Sequence, residues 1–314
     1  MIDRSRAGLM SLLLSNVFAC LSLIWLSSAS HGVVENILLL GSGNLVVGIL
    51  IIVWCRRSEP SSVGFPLVTL PTLLWSGGYA LTYSIFLAFP NSVSLTTLTC
   101  LRMLVPIFSL FASGDWRKEP SLGVAIGKLS PIGALVFILV FQTGDTQFSE
   151  VFSSLNIEIW GAILLASTVS QVGARLESRN YSGQRENLQA VGTAAIWNGL
   201  LVMTLGFFVT EVAGTDLNLE KMGWQFVFQI AIAASFIVVT MASYLRGLAH
   251  TPPSLSALAL STIIPISVLL DAIGGRLEQP IWSVGFSLFF LACVWWMQEI
   301  ERRKTILLNK RHTA

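Results

Sequence analysis

Charged residues are scarce in this chain and make up 11% of its 314 residues, whereas a typical soluble domain carries about 25%. Hydrophobic residues account for 54% of the sequence, and the mean hydropathy is +0.72. A soluble globular domain is excluded, because most of these side chains would have no water to face. Nucleic-acid binding has no support either, since the net charge is only +2 and the basic cluster at the C-terminus is short.

Groups that carry chemistry are equally few. The three histidines (His31, His250 and His312) fall in predicted loops or tails, so an intramembrane serine mechanism would lack its base. No pair of aspartates lies deep in a span, and no ligand cluster has the spacing of a metal site. The four cysteines show no disulfide spacing and are predicted to pack in the interior. We therefore predict no enzyme, no metal and no cofactor.

The sequence has, instead, apolar runs of about twenty residues, the length that crosses the ~30 Å core of a bilayer. Spans in lipid must satisfy their own backbone hydrogen bonds, which makes them helical. We predict an all-α integral membrane protein in a lipid bilayer. Its ten transmembrane helices are expected near 7–29, 33–55, 65–88, 92–113, 120–142, 157–176, 188–212, 223–246, 254–274 and 281–299.

The basic residues predict the orientation of these spans. Ten spans put both termini on one side of the membrane. Of the 19 basic residues, two lie within spans and fifteen fall on the side of the termini, which leaves Lys221 and Arg276 on the other side. Because basic residues concentrate on the cytoplasmic side, both termini are predicted to be cytoplasmic. The loops are short and no organelle-retrieval signal is visible, so we predict the bacterial inner membrane.

Two stretches, 92–127 and 251–285, look like one unit written twice. Each has a hydroxyl-rich apolar run, a proline, a second apolar run and a glutamate, and the same thirteen positions separate Pro106 from Glu119 and Pro265 from Glu278. Many secondary transporters are built from repeats around a central site.

The parity of the spans fixes how the two repeats are related. Five spans per half is an odd number, so residues 1–143 and 144–314 are predicted to form two five-helix repeats of inverted orientation. Inverted halves allow one state open to each side of the membrane, with the substrate near the midplane between them. Monomer and homodimer both remain open.

A family resemblance follows from these two stretches. The segment "YLRGLAHTPPSLSALALSTIIPISVLLDAIGGRLEQPIWSVGFSLFFLACV" resembles the second-half signature of the EamA-like branch of the drug/metabolite transporter superfamily, and "PNSVSLTTLTCLRMLVPIFSLFASGDWRKEPSLGVAIG" resembles its first-half counterpart. The resemblance implies ten spans, cytoplasmic termini and a five-plus-five inverted repeat. One departure is the polar "GGRLEQP" after Asp271, where the family has a smoother apolar run.

Two cations lie inside predicted spans. Arg102 lies roughly 16 Å and Lys128 roughly 12 Å from the cytoplasmic ends of the fourth and fifth spans, at ~1.5 Å per residue. Burial of each costs roughly 2.5–3.5 kcal/mol, so such residues usually face a cavity or a partner. We predict that they form a positive pocket for a phosphate or carboxylate. Snorkelling of Lys128 to the headgroups and bonding of Arg102 to backbone carbonyls are the structural alternatives.

Polar and aromatic residues within the spans complete the predicted substrate cavity. Trp75, Tyr79 and Tyr83 recur every four residues and share one helix face. The same stripe is also typical of plain helix packing. The other predicted cavity residues are Trp197 and Asn198 in the seventh span and Tyr244 in the eighth. Further polar candidates within spans are Asn16, Asn44 and Ser243.

Acidic residues are missing from the middle of the spans. Glu35, Glu158, Glu211 and Asp271 are predicted near external ends, where solvent can reach them. A proton-driven exporter of lipophilic cations would need a buried carboxylate. The favoured function is therefore a secondary transporter of a small anionic or zwitterionic metabolite. The alternatives are an exporter of lipophilic cationic drugs and a non-transporting accessory or receptor protein.

Overall fold

The structure is a computed structural model that describes residues 2–28, 32–58, 69–89, 93–112, 122–141, 154–180, 184–213, 224–251, 253–277 and 279–312. Within these ranges the chain is helical and contains no strand. The helices are α1 (Ile2–Ser28), α2 (Val33–Ser58), α3 (Leu70–Ala88), α4 (Leu95–Ala112), α5 (Leu122–Phe141), α6 (Ser154–Asn180), α7 (Gln184–Ala213), α8 (Trp224–His250), α9 (Pro253–Ser261), α10 (Ile263–Ile273) and α11 (Pro280–His312).

Every predicted span overlaps at least one of these helices, and the all-helical prediction is confirmed for the described residues. The long apolar helices are typical of a membrane-embedded protein. Five helices are long and apolar enough to cross a membrane: α1, α2, α6, α7 and α8. Shorter apolar stretches lie in α4, in α5, across α9 and α10, and in α11. The last helix continues beyond the predicted end at residue 299 and includes most of the predicted tail.

The ninth predicted span is not one continuous helix, which corrects the expectation. It divides into α9 and α10 at Thr262. Pro265 has no N–H to donate to the carbonyl of Ser261, so the hydrogen-bond ladder is interrupted here. At the break, the Thr262 N–H bonds to the carbonyl of Ala259 at 3.3 Å, three residues back rather than the four of an α-helix. The Thr262 hydroxyl donates to the same carbonyl at 2.7 Å.

The end of α10 follows from the two glycines of the "GGRLEQP" segment. Gly274 is the C-cap, and Gly275 has a φ of 66°. This left-handed conformation is the usual way to terminate a helix, and it favours glycine because a side chain would be strained there. The predicted end of the ninth span, at residue 274, is therefore one residue beyond the end of α10.

Helix pairs recur in the packing. α3 packs along α6 as α1 packs along α8, and α3 packs on α7 as α8 packs on α2. Likewise α4 contacts α6, while α9 and α10 contact α1. The first helix of each predicted half therefore packs against the third and fourth helices of the other half.

The crossing of α2 and α7 is close because glycines occupy its contact points. A Cβ added at Gly48 would lie 2.6 Å from the Ile196 backbone nitrogen and 2.7 Å from the Gly192 carbonyl oxygen. A Cβ added at Gly199 would meet the Gly41 carbonyl oxygen at 2.7 Å. Small residues allow this kind of backbone approach between membrane helices.

Candidate functional site

A cavity of about 80 Å³ lies between helices of both predicted halves. This is small beside the ~300–1,000 Å³ of pockets for drug-sized ligands. Its lining residues are Ser15, Asn16 and Ala19 of α1, Trp75, Tyr79 and Tyr83 of α3, Arg102 and Met103 of α4, Ser170, Gln171 and Ala174 of α6, Thr240, Met241 and Tyr244 of α8, Leu260 of α9 and Ile263 of α10.

Five of the eight predicted site residues meet in this cavity: Trp75, Tyr79, Tyr83, Arg102 and Tyr244. The predicted aromatic stripe on α3 is present. The ring centroids of Tyr79 and Tyr83 lie 4.3 Å apart, one helical turn from each other. α3 is therefore a lining helix of the cavity, and its aromatic face is not used only for packing.

Arg102 is surrounded by tyrosines. Its Nη1 donates to the hydroxyl of Tyr83, and its guanidinium carbon lies 5.5 Å from the centroid of that ring. Tyr79 and Tyr244 are within electrostatic reach of the guanidinium. No lining residue of this cavity is acidic. Among the described residues, the cavity lining therefore has one positive charge and no carboxylate that could neutralise it.

The backbone carbonyl of Arg102 accepts a hydrogen bond from a side chain of another helix. Pro106 lies four residues further along α4 and has no N–H, so the Arg102 carbonyl lacks its usual intrahelical donor. Gln171 of α6 provides a donor instead, with its Nε2 2.7 Å from that carbonyl oxygen. Its neighbour Ser170 donates to the carbonyl of Trp75 at 3.2 Å. Two adjacent residues of α6 thus hold α3 and α4 together beside the cavity.

The opposite wall has the same kind of contacts. Ser15 of α1 donates to the carbonyl of Thr240 on α8 at 3.0 Å. Asn16 donates from Nδ2 to the Ala259 carbonyl at 2.7 Å and to the Thr262 hydroxyl at 3.1 Å, at the break between α9 and α10. Thr240 lies four residues before Tyr244, as Trp75 lies four before Tyr79. Each wall therefore has a serine followed by an amide residue, and both side chains donate to groups of the other predicted half.

Three predicted site residues do not join this group. Asn198 is fully buried in α7, does not line the cavity, and its amide has no hydrogen-bond partner among the described residues. Trp197 is half-buried and also lies outside the lining. Lys128 belongs to α5, but its side chain is outside the described part of the structure.

Asp271 is a correction to the sequence analysis, because its side chain has no solvent exposure. Its Oδ2 accepts hydrogen bonds from the Thr96 N–H at 2.9 Å and from the Thr96 hydroxyl at 2.7 Å. Arg276 Nη1 lies 4.0 Å from Oδ1. The carboxylate thus satisfies a donor at the start of α4, where backbone N–H groups have no intrahelical partner. Of the other acids expected to face solvent, Glu158 and Glu211 are exposed and Glu35 is buried.

Glu177 is a third buried carboxylate, and the sequence analysis missed it. It is 1% exposed and accepts hydrogen bonds from the hydroxyls of Thr69 and Thr72 at 3.0 and 2.9 Å. Thr69 is also the N-cap of α3. This cluster connects the end of α6 to the beginning of α3, and it lies outside the cavity lining.

Two serine and amide pairs bridge the walls, Ser15–Asn16 and Ser170–Gln171. The sequence analysis named Asn16 as a cavity candidate and missed the other three residues. One signal for Gln171 was available: a proline inside a span removes the donor for the carbonyl four residues earlier. Which helix supplies the replacement donor depends on the packing, and no local pattern indicates it.

No protein-family model matches the chain, and no curated protein does. A solved structure described as "Crystal structure of protein" is similar over 97% of this chain and 99% of its own, with a TM-score of 0.62 and 14% sequence identity. This similarity shows that the two chains share a fold.

Proposed function

We propose that this chain is a ten-span secondary transporter that moves a small anionic or zwitterionic metabolite by alternating access. The observation that carries the proposal is Arg102, a cation that lines an interior cavity without any acidic lining residue. An unpaired charge at this depth costs several kcal/mol, and an anionic substrate would offset that cost. Arginine suits the role because its guanidinium binds carboxylates and phosphates through two parallel hydrogen bonds.

The recurring helix pairs support two inverted five-helix halves, 1–143 and 144–314. The α1–α8 pair corresponds to α6–α3, and the α1 contacts with α9 and α10 correspond to that of α6 with α4. Such a repeat supports a cavity that opens to either side by rocking of one helix group against the other. The resemblance to drug/metabolite transporters and the distribution of basic residues support ten spans, cytoplasmic termini and a bacterial inner membrane.

Export of lipophilic cations is the second candidate within transport. It is disfavoured because no cavity-lining residue is acidic, and the buried Asp271 is hydrogen-bonded to Thr96 outside the lining. A non-transporting accessory role would leave the charge of Arg102 without a purpose.

Thermal unfolding of the purified protein against a ligand panel tests the proposal. The panel contains phosphate esters, carboxylates, amino acids and lipophilic cations. A true ligand at about a hundred times its Kd adds roughly 2.7 kcal/mol of stability. We expect stabilisation by an anionic or zwitterionic class, and its loss in Arg102→Gln. Stabilisation by lipophilic cations alone would contradict the proposal.

A further inference from the structure

The two walls of the cavity are alike in their polar contacts and differ in charge. Arg102 lies four residues before Pro106, and the residue four before Pro265 is Ser261. Ser261 is fully buried and its hydroxyl donates to the Leu258 carbonyl of its own helix at 2.6 Å. The residue that corresponds to Arg102 is therefore neutral, and its hydroxyl already has a hydrogen-bond partner.

The wall formed by α9 and α10 is apolar where it faces the cavity. Leu260 and Ile263 line it there, and Met241 of α8 and Ala19 of α1 add further apolar lining. The cavity thus has a charged side chain on α4 and an apolar lining on α9 and α10. A ligand that contacts both must itself carry a charged group and an apolar surface.

Two polar side chains near the apolar lining are already engaged, whereas the Thr240 hydroxyl has no hydrogen-bond partner among the described residues. Asn16 donates to the Ala259 carbonyl, and Ser15 donates to the Thr240 carbonyl. None of the described lining residues is acidic, so an ammonium group placed here would be buried without a counter-charge from them, which is costly. A dianion would likewise carry one charge more than is neutralised by Arg102, the one cation among the described lining residues.

The tyrosine beside Arg102 adds a donor for the anion. The Tyr83 hydroxyl accepts a hydrogen bond from the guanidinium, so its own O–H proton can point to another acceptor. An anionic oxygen next to Arg102 can therefore receive hydrogen bonds from both side chains. These contacts orient the charged end of the ligand towards α3 and α4.

We propose that the cavity binds a small monoanion with an apolar body, with the anionic group on Arg102 and Tyr83 and the body against Leu260, Ile263 and Met241. This rests on the proposed transport function and narrows its substrate class. Zwitterions and dianions bind more weakly, since each places one uncompensated charge in the cavity.

Three ligands with one branched body test the inference by titration calorimetry on the purified full-length protein. 4-Methylpentanoate carries only the carboxylate, leucine carries the carboxylate and the ammonium, and 3-methylbutylamine carries only the ammonium. We expect 4-methylpentanoate to bind at least about tenfold more tightly than leucine, the ratio that ~1.4 kcal/mol produces, and no binding of the amine. Arg102→Met should abolish binding, whereas Arg246→Met, which removes an exposed arginine of α8, should leave the affinity unchanged.

Tyr83→Phe keeps the ring and removes only the hydroxyl, so it tests the site if Arg102→Met folds poorly. We expect it to weaken 4-methylpentanoate by about tenfold, because hydrogen bonds to charged groups contribute ~1.5–3 kcal/mol. Leucine binding as tightly as 4-methylpentanoate would overturn the inference and leave the proposed function intact. Binding of the amine alone would overturn both. No binding of any of the three would overturn the monoanion assignment only.

Discussion

The cavity has two walls, one formed by α6 with α3 and α4 and the other by α1 with α8, α9 and α10. The same kind of hydrogen bond joins the helices of each wall, but the residues that these bonds position differ. On each wall a serine and the amide after it reach from the first helix of one predicted half to carbonyls in the other half. On the α6 wall, Gln171 holds the carbonyl of Arg102. On the α1 wall, Asn16 holds the break between α9 and α10, where the lining is apolar. The comparison indicates that the repeated contacts are structural, and under the proposed function Arg102, which departs from the repeat, is the residue that binds the substrate.

The largest effect that sharpens this comparison is expected at Arg102. Removing a half-buried cation from a predicted membrane span relieves a cost of up to about 2.5–3.5 kcal/mol, so Arg102→Met should stabilise the ligand-free protein. Ser261→Ala, at the corresponding position of the other wall, should change the stability much less because Ser261 carries no charge. Thermal unfolding without ligand measures both variants. A clear loss of stability in Arg102→Met would mean that the arginine is mainly structural.

The next effect tests whether the framework itself is symmetric. Gly48→Ala and Gly199→Ala each place a methyl group against the backbone of the opposite helix at the α2–α7 crossing. Overpacking of this kind costs about 1–3 kcal/mol, and the two losses should be similar. Gly161→Ala is the matched control, because a Cβ there meets nothing within 4 Å. Unequal losses of stability at Gly48 and Gly199 would show that α2 and α7 do not contribute equally to their crossing.

The smallest effect concerns the donor for the Arg102 carbonyl. Gln171→Leu should cost about 0.5–1.5 kcal/mol, the net contribution of one intramolecular hydrogen bond to stability. Pro106→Ala restores the N–H that can bond this carbonyl within α4, so the same Gln171→Leu change should cost much less when combined with Pro106→Ala. A double-mutant cycle of unfolding free energies measures the difference.

Asn16→Leu is the control for this cycle. Asn16 bonds carbonyls of α9 rather than the carbonyl of Arg102, so its cost should be the same with and without Pro106→Ala. Equal coupling of Asn16 and Gln171 to Pro106→Ala would show that the proline acts on the whole bundle, and the local explanation would be wrong.

Much of the fold could be predicted from the sequence because the membrane imposes its own length and hydrogen-bonding rules. Apolar length alone located the helices, and two prolines located the repeated unit. The break at Thr262 was not predicted, although Pro265 is its physical cause, because membrane helices often continue through a proline when neighbours satisfy the freed carbonyl.

The cavity was harder to predict than the helices. Arg102 and the α3 aromatic stripe stand out because charge and hydroxyls are unusual at this depth. Gln171 and Asn16 matter through the helices they reach, and this depends on which helices are neighbours. Asp271 was placed near solvent because it lies at a span end, but the start of α4 packs over it and Thr96 satisfies it. Position along a span does not reveal what another helix covers.

Side-specific labelling of Met241→Cys tests the central claim most directly. Met241 lines the cavity and is 4% exposed, so a membrane-impermeant maleimide reaches a cysteine there only if the cavity opens. Right-side-out and inside-out vesicles present opposite faces, and the parent protein without this substitution gives the background from its four cysteines. Alternating access predicts labelling above that background from each side. Labelling from neither side, or from one side only, would contradict the account.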